Sequence, residues 1–204
     1  MLEAITFAER PGKVYFRAQD LAKEVRVSYQ LDTLTEIAKL NGTTIPVTAD
    51  RLWDGSYLIE KKELSSFALV LVKKGKRDAF TIGQKTVRVD LDGQRLRAFQ
   101  GGIEVIRCRI SSGREGKETP VGKFKLGAKQ KDKVSTTYGS PMPWSVHITG
   151  PYYIHGSNWF SYDDASHGCI RLEIHGPTNW AETFYQWVDP GTPLVLWRRL
   201  LRAR

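Results

Sequence analysis

The stretch IHGSNWFSYDDASHGCIRLEIH, residues 154–175, contains three of the four histidines of the chain and one of its two cysteines. A cysteine reacts as its thiolate, and a neighbouring imidazole can take up the thiol proton. Gly168, directly before Cys169, lets the backbone turn so that N–H groups face a developing oxyanion. The pattern predicts a nucleophile at Cys169, and the residues alone leave both His155 and His167 as candidate bases.

The same cluster has two other interpretations. His155, His167, Cys169 and His175 supply four possible zinc ligands, but a single residue between His167 and Cys169 is not a usual zinc spacing. The second cysteine, Cys108, lies far upstream, where it alternates with isoleucines and is predicted to be a buried, unreactive side chain. Ordinary packing of a histidine against a cysteine is the other alternative. The nucleophile is the favoured interpretation.

The chain as a whole has the composition of an ordinary globular protein. Of its 204 residues, 41% are hydrophobic and 26% are charged, which excludes collagen-like and wholly disordered chains. The longest apolar run, residues 67–72, is far shorter than the ~20 residues of a membrane helix and is predicted to be a buried strand. Residues 1–13 lack the pattern of a secretory signal peptide, so we expect any leader to be absent from this chain.

Positive charge is concentrated in the second part of the chain. The net charge is +9, and residues 85–204 hold 18 basic and 11 acidic residues. A basic surface attracts polyanions such as nucleic acid, acidic lipid or an anionic cell wall. Because the sequence contains no nucleic-acid-binding motif, nucleic acid is not the expected partner.

Residues 1–83 contain a short pattern that occurs twice. A strand, a short helix and a second strand are predicted over residues 15–27 and again over residues 57–70. The stretch resembles the copper-amine-oxidase N-terminal-like modules of secreted bacterial proteins, which implies a small α+β accessory domain. The basic, glycine-containing residues 73–85 predict a domain boundary near residue 83.

One segment of this first part carries a second resemblance. The sequence DTLTEIAKLNG, residues 32–42, resembles the first helix of a LysM wall-binding repeat. The capping box formed by Thr33 and Glu36 predicts a helix over residues 34–40, with a stop at the following Asn-Gly pair.

Residues 84–204 are predicted to form a mainly β domain. Apolar and polar residues alternate along residues 87–91 and 106–110, and turn dipeptides recur every ~8–12 residues, as in β-sandwiches and barrels. One amphipathic helix is predicted over residues 177–188, followed by a closing strand over residues 193–197.

Ordered segments of this second part resemble the L,D-transpeptidase catalytic domain of the YkuD type. They are VDLDGQRLRAFQGG (89–102), ISSG (110–113), TPVGKF (119–124), MPW (142–144), IHGS (154–157), SHGCIRL (166–172) and PGTPLV (190–195). The resemblance covers roughly residues 85–198 and implies a YkuD-like β-sandwich with one main helix over residues 84–204, preceded by the small α+β domain.

The resemblance implies a role for each residue around the cysteine. Cys169 is the expected nucleophile, with a lowered thiol pKa, and His155 is the expected general base. The backbone carbonyl of Gly156 orients the imidazole, and His167 shapes the turn at the cysteine. The N–H groups of Gly168 and Cys169 are expected to bind the oxyanion.

Four further residues are expected to bind the substrate. Ser166 is the first residue of the SHGCIRL segment. Arg171 lies two residues after the cysteine and is expected to bind a substrate carboxylate or brace the site, with an ordinary surface ion pair as the alternative. Trp144 and Trp159 flank the expected cleft, and packing in the core is the alternative for both.

The implied reaction is acyl transfer on the stem peptides of peptidoglycan. Cys169 attacks the carbonyl of the third stem residue, D-alanine leaves, and an amine of a neighbouring stem resolves the thioester into a 3→3 cross-link. Hydrolysis of the thioester instead gives L,D-carboxypeptidase activity. Such covalent catalysis needs no metal or other cofactor, and the resemblance further implies carbapenem sensitivity and a location in the bacterial cell envelope or outside the cell.

Two other classes of function are considered. A papain-like cysteine peptidase has its cysteine early in the chain with the histidine far downstream, whereas here His155 precedes Cys169. A non-catalytic wall-binding protein with a decayed site is the third hypothesis, and the presence of both residues argues against it.

Overall fold

The computed structural model describes residues 1–72, 78–161 and 165–198, and the chain divides into two compact units. The first unit comprises Met1–Gln84 together with Gln100–Val105, and the second comprises Lys85–Phe99 and the chain from Ile106 on. The boundary after Gln84 lies close to the expected position, but the tip of one hairpin, residues 100–105, belongs to the first unit. We predict that residues 84–204 fold independently of residues 1–83, because they contain every matched motif and a core of their own.

The first unit is built from short strands and two short helices. Its elements are β1 (Leu2–Ala4), β2 (Tyr15–Arg17), α1 (Ala18–Val25), β3 (Tyr29–Leu31), β4 (Ala38–Leu40), β5 (Thr43–Thr44), β6 (Leu58–Glu60), a 3₁₀-helix (Lys61–Phe67) and β7 (Phe80–Ile82). Strand β1 pairs in parallel with β7, β2 pairs antiparallel with β6, and β3, β4 and β5 form an antiparallel sheet.

The repeated pattern is present in part. Strand β2 leads into α1 and strand β6 leads into the 3₁₀-helix, and each helix ends at a left-handed residue, Arg26 (φ 60°) and Ala68 (φ 54°). The second copy then departs from the prediction, because no strand follows Ala68 in the described residues up to 72. The expected buried strand over residues 67–72 is therefore wrong: Val70 and Val72 are exposed, and only every other apolar side chain is buried.

The helix predicted over residues 34–40 is also wrong. The Asp32 carboxylate accepts hydrogen bonds from the N–H groups of Leu34 (2.9 Å) and Thr35 (3.2 Å), but Glu36 then takes a left-handed conformation (φ 55°), which ends the turn before a helix can form. Leu34 is 94% exposed, whereas Ala38 and Leu40 are buried on either side of the exposed Lys39, which is the alternation of a strand. The chain continues as β4, and the resemblance to a LysM helix does not extend to the structure.

The second unit is mainly β, as predicted. Its elements are β8 (Lys85–Asp90), β9 (Arg95–Gln100), β10 (Ile103–Arg109), β11 (Gly122–Lys125), β12 (Lys129–Val134), β13 (Pro141–Thr149), β14 (Tyr152–Ser157), β15 (Ile170–Glu173), α2 (Trp180–Trp187) and β16 (Pro193–Trp197). One sheet has the strand order β10-β9-β8-β16-β11, and the other has the order β12-β13-β14-β15. No helix in the described ranges is long and apolar enough to cross a membrane.

Helix α2 covers the four-stranded sheet of β12 to β15, which Cys169 adjoins. It begins at Trp180, later than the predicted start, because Asn179 caps it by accepting a hydrogen bond from the Glu182 N–H at 3.0 Å. Ala181, Phe184 and Trp187 are buried, and the helix packs against β13, β14 and β15. This packing fixes the strand on which His155 lies.

Candidate active site

His155 and Cys169 line one cleft of about 600 Å³ in the second unit. His155 lies on β14, and Cys169 directly precedes β15. These two strands are parallel neighbours, with Ile154 opposite Ile170 and His155 opposite Arg171. The pairing brings His155 and Cys169 to the same end of these two strands.

The imidazole of His155 has a defined orientation and tautomer. Its Nδ1 atom lies 2.7 Å from the carbonyl oxygen of Gly156, and because a carbonyl only accepts, Nδ1 carries the proton. The Nε2 atom is then the basic nitrogen of the ring. The side chain is 6% exposed, and burial lowers the pKa of His155 to about 4, with the Gly156 carbonyl opposing the shift and the charge of Arg171 adding to it.

Gly156 also meets a steric requirement of the site. A Cβ atom at this position would lie 2.6 Å from Cγ2 of Ile174 and 3.1 Å from Cβ of Ala181. Only glycine lets β14 pass this close to α2. The carbonyl that orients His155 is therefore held by backbone packing.

The Cys169 thiol is half-buried. Its Sγ atom lies 3.7 Å from the carbonyl oxygen of Pro151. Burial raises the pKa of this thiol, while the Tyr153 N–H and the charges of Arg171 and Lys133 act in the opposite direction. The expected lowering of the pKa is therefore wrong, because desolvation outweighs the positive charges, and the cleft holds a thiol and a neutral imidazole at rest.

The turn before Cys169 is held by Ser166. The Ser166 hydroxyl donates a hydrogen bond to the carbonyl of Cys169 (2.5 Å) and accepts one from the N–H of Gly168 (3.0 Å). Gly168 has φ +113°, and a Cβ atom there would lie 2.5 Å from the Tyr152 ring. Ser166 thus stabilises the turn and also lines the cleft, so its contact with substrate stays a prediction. The Gly168 N–H is bonded to Ser166, and its role in binding the oxyanion stays a prediction as well.

The segment of residues 110–113 clamps the turn from the other side. Ser111 and Arg171 exchange backbone hydrogen bonds of 3.1 and 2.9 Å, and the Ser166 N–H donates to the Ser112 carbonyl at 2.9 Å. The nucleophile is therefore positioned by main-chain pairing at both of its flanks.

A buried hydroxyl completes the clamp. Thr119 Oγ1 donates to the Gly168 carbonyl (2.8 Å) and accepts from the Gly113 N–H (2.9 Å). The sequence places Thr119 in a recognisable motif, but its contact with the turn depends on a tertiary approach between distant segments. It is a positioning residue that sequence reasoning does not assign to the site.

We expect Thr119→Val to weaken the site and the fold together. The change leaves the Gly168 carbonyl and the Gly113 N–H without their buried partner, which costs about 2 kcal/mol of unfolding free energy. The rate of Cys169 acylation is expected to fall by about tenfold. Urea unfolding and single-turnover acylation measure the two effects. Thr119→Ser keeps the hydroxyl and serves as the control, and wild-type acylation by the valine variant would contradict the positioning role.

His167 lies on the wall of the cleft and is exposed. Its ring stacks on Tyr138 with centroids 4.3 Å apart, and its Nε2 atom lies 3.2 Å from Nη2 of Arg114. Because a guanidinium only donates, Nε2 accepts and the ring is neutral. Burial, followed by the nearby charges of Arg114, Arg171 and Lys117, lowers the pKa of His167. Tyr138, which sequence reasoning missed, is a second aromatic residue of this wall.

The two tryptophans expected to bind substrate lie elsewhere. The Trp144 ring packs edge-on against Tyr185 of α2, at a centroid distance of 5.4 Å, so it belongs to the contact between helix and sheet. Trp159 is 84% exposed. Neither is among the described residues that line the cleft, whereas Arg171 and Ser166 are.

Cys108 and His175 lie outside the cleft. Cys108 is buried and unpaired with any other cysteine, as predicted, and burial raises its pKa. His175 lies 3.1 Å from the side-chain oxygen of Asn158. Within the described ranges, no group of three or more His, Cys, Asp or Glu side chains is arranged to hold a metal ion.

Comparisons with known proteins agree with this geometry. Residues 84–196 match the family model of the YkuD L,D-transpeptidase catalytic domain, and no curated protein matches the chain. Among solved structures, an L,D-transpeptidase from Stackebrandtia nassauensis is 23% identical with a TM-score of 0.51, and the match covers 56% of this chain and 55% of that one. An L,D-transpeptidase from Mycobacterium smegmatis is 18% identical with a TM-score of 0.51, over 97% of this chain and 99% of that one.

A third structure, an L,D-transpeptidase from Mycobacterium tuberculosis H37Rv, is 17% identical with a TM-score of 0.50, over 96% of this chain and 93% of that one. At these identities the structural likeness shows the fold alone, and the chain spans about half the length of the Stackebrandtia protein. The family match, in contrast, covers more than half of the chain and includes every residue of the cleft described above. This chain therefore belongs to the YkuD family of L,D-transpeptidase catalytic domains.

Proposed function

We propose that this protein is a cysteine-dependent acyltransferase that forms 3→3 cross-links between the stem peptides of peptidoglycan. The observation that carries the proposal is the pair in the cleft: a half-buried Cys169 thiol, and a buried neutral His155 whose Nδ1 is held 2.7 Å from the Gly156 carbonyl. Membership of the YkuD family names the substrate class.

The first half-reaction forms a thioester. The Cys169 sulfur attacks the carbonyl carbon of the third stem residue while the thiol proton passes to Nε2 of His155. The N–H of Cys169 donates to the oxyanion, and Gly168 joins it only when its N–H exchanges the bond to Ser166 for one to the substrate. His155 then protonates the nitrogen of D-alanine, the carbon–nitrogen bond breaks, and D-alanine leaves.

The second half-reaction transfers the acyl group. An amine of a neighbouring stem attacks the thioester carbonyl and gives its proton to His155, and the departing sulfur takes the proton back as the thiol is restored. With a pKa of about 4, His155 is neutral at the start of each half-reaction at physiological pH, so it can accept a proton each time. Water in place of the amine gives L,D-carboxypeptidase activity, which is the alternative outcome.

Two further properties belong to the proposal. A carbapenem presents a strained carbonyl to the same thiol, and we propose that it acylates Cys169. The substrate is a wall polymer, so the site of action is the cell envelope or the exterior of the cell. The excess of positive charge in residues 85–204 suits an anionic wall.

The test is incubation of the full chain with disaccharide-tetrapeptide fragments of peptidoglycan, with products identified by mass. We expect loss of D-alanine together with a cross-linked dimer. Loss of D-alanine with monomeric product alone would support the carboxypeptidase. Co-sedimentation with cell walls without any turnover would contradict both activities and support a binding protein.

A further inference from the structure

The cleft around Cys169 is lined by cations. Lys117, Lys133 and Arg171 line it, and none of its other described lining residues is an aspartate or glutamate. None of these three side chains forms an ion pair with a carboxylate among the residues that the structure describes. Such a cleft attracts an anionic ligand.

Lys133 is the lysine most closely associated with the thiol. It lies on β12 and is half-buried, and its Nζ atom lies 4.7 Å from the ring centroid of Tyr153. Both Lys133 and Tyr153 line the cleft with Cys169, and the charge of Lys133 opposes the rise in the pKa of that thiol. A partly desolvated ammonium gains from an anionic partner, and the described part of the cleft provides only an aromatic face.

Lys131, two residues earlier on the same strand, provides a contrast. It is exposed, its Nζ atom lies 4.8 Å from the ring centroid of Trp144, and it does not line the cleft. The two lysines thus share a strand, a charge and an aromatic neighbour, and they differ in that only Lys133 lines the cleft with Cys169.

The chemistry of the donor places a carboxylate near that position. The bond that is broken precedes the C-terminal residue of the stem, so a terminal carboxylate lies about 4 Å from the carbonyl carbon that Cys169 attacks, one residue along the chain. A cation beside the thiol is within reach of this group. Arg171, on the neighbouring strand, lies opposite His155, and its charge acts on both catalytic side chains.

We propose that Lys133 forms a carboxylate-binding subsite beside Cys169, which holds the terminal carboxylate of the donor stem and selects donors that carry it free. The inference rests on the proposed function and deepens it, since it names the group of the donor that the cleft recognises. A charge-assisted hydrogen bond from the ammonium to the carboxylate is the expected contact. Lys133 is a specificity-determining residue in this arrangement, and the attack itself belongs to Cys169 and His155.

The test uses the full chain and two donors that differ in one group: a tetrapeptide stem that ends in D-alanine, and the same stem that ends in D-alaninamide. Release of D-alanine or D-alaninamide gives kcat and KM for each. We expect wild-type protein to prefer the carboxylate donor by at least about tenfold in kcat/KM. Lys133→Gln is expected to raise KM for that donor by about tenfold and to leave the amide donor within about twofold, which removes the preference.

Lys131→Gln removes the same charge from the same strand and is expected to keep the wild-type preference. Equal losses on both donors in Lys133→Gln would overturn the inference, because a role through the thiol pKa or through folding affects both donors alike. An unchanged preference in that variant would overturn it as well. Wild-type protein that releases neither leaving group would overturn the proposed function and this inference with it, a result distinct from turnover without selectivity.

Discussion

Replacement of Cys169 by serine is expected to abolish acyl transfer, with a loss of at least about 10³-fold, while replacement of Cys108 by serine leaves the rate unchanged. Only Cys169 lines the cleft with His155, whereas Cys108 is buried in a strand of the second unit. The measurement is incubation with a carbapenem followed by peptide mass spectrometry. One adduct per chain is expected, on the peptide that contains residues 166–171, in wild type and in Cys108→Ser but not in Cys169→Ser.

A comparison of the two thiols is a strict test of the mechanism, because burial raises the pKa of both. A low thiol pKa therefore does not single out Cys169. A reagent that reacts only where a base and oxyanion donors are present is expected to select Cys169 over Cys108. An adduct on Cys108, or a disulfide between the two cysteines in active protein, would refute the nucleophile assignment and the two half-reactions that depend on it.

Removal of the imidazole at position 155 is expected to have the next largest effect. His155→Ala should lower the rate of acylation by about 10²–10⁴-fold, which is the usual contribution of a general base. The Gly156 carbonyl fixes the His155 ring with Nε2 free to accept the proton, and the substitution removes that nitrogen. His167→Ala should cost much less, since that ring contacts Tyr138 and Arg114 on the wall. Single-turnover acylation, with circular dichroism to confirm folding, makes the comparison.

The pH profile gives a second measure of the same assignment. The pKa of His155 is lowered to about 4, so the base loses its function only when it becomes protonated as the pH falls through that value. The acid limb of kcat/KM for acylation is therefore expected near pH 4, below the ordinary histidine range around 6.5. A larger loss in His167→Ala than in His155→Ala, or an acid limb that moves in His167→Ala alone, would reverse the roles of the two histidines.

Local chemistry made the central features predictable. The alternation of apolar and polar residues predicts the strands of the second unit, and the Ser-His-Gly-Cys motif predicts a sharp turn before the nucleophile, which Gly168 provides with φ +113°. The Gly156 carbonyl accepts from His155 as the resemblance implies. Each of these depends on neighbours along the chain or on a single strand pairing.

The features that sequence reasoning missed depend on distant segments. Thr119 bonds to a carbonyl 49 positions away, and Tyr138 stacks on a ring in a separate turn, so neither contact has a local signature. The direction of the Cys169 pKa was not predictable for the same reason, because desolvation depends on the whole cleft. The false helix over residues 34–40 was predicted from a capping pattern that does form at Asp32, but the left-handed Glu36 (φ 55°) ends the turn, and residues 38–40 pair as a strand.

Main-chain pairing at Ser111 and Arg171, the bond from Ser166 to Ser112 and the Ser166 hydroxyl hold the nucleophile from both flanks, whereas the rings of Tyr138 and His167 form a separate wall of the cleft. Reactivity and recognition are thereby assigned to separate parts of the molecule. We expect substitutions at Tyr138 or His167 to change which acyl donor the cleft accepts while the thiol keeps its position. In evolutionary terms, this division lets a lineage change its wall chemistry in single mutational steps, and it offers protein engineers an acyl-transfer scaffold whose substrate range can be redesigned from the walls inward.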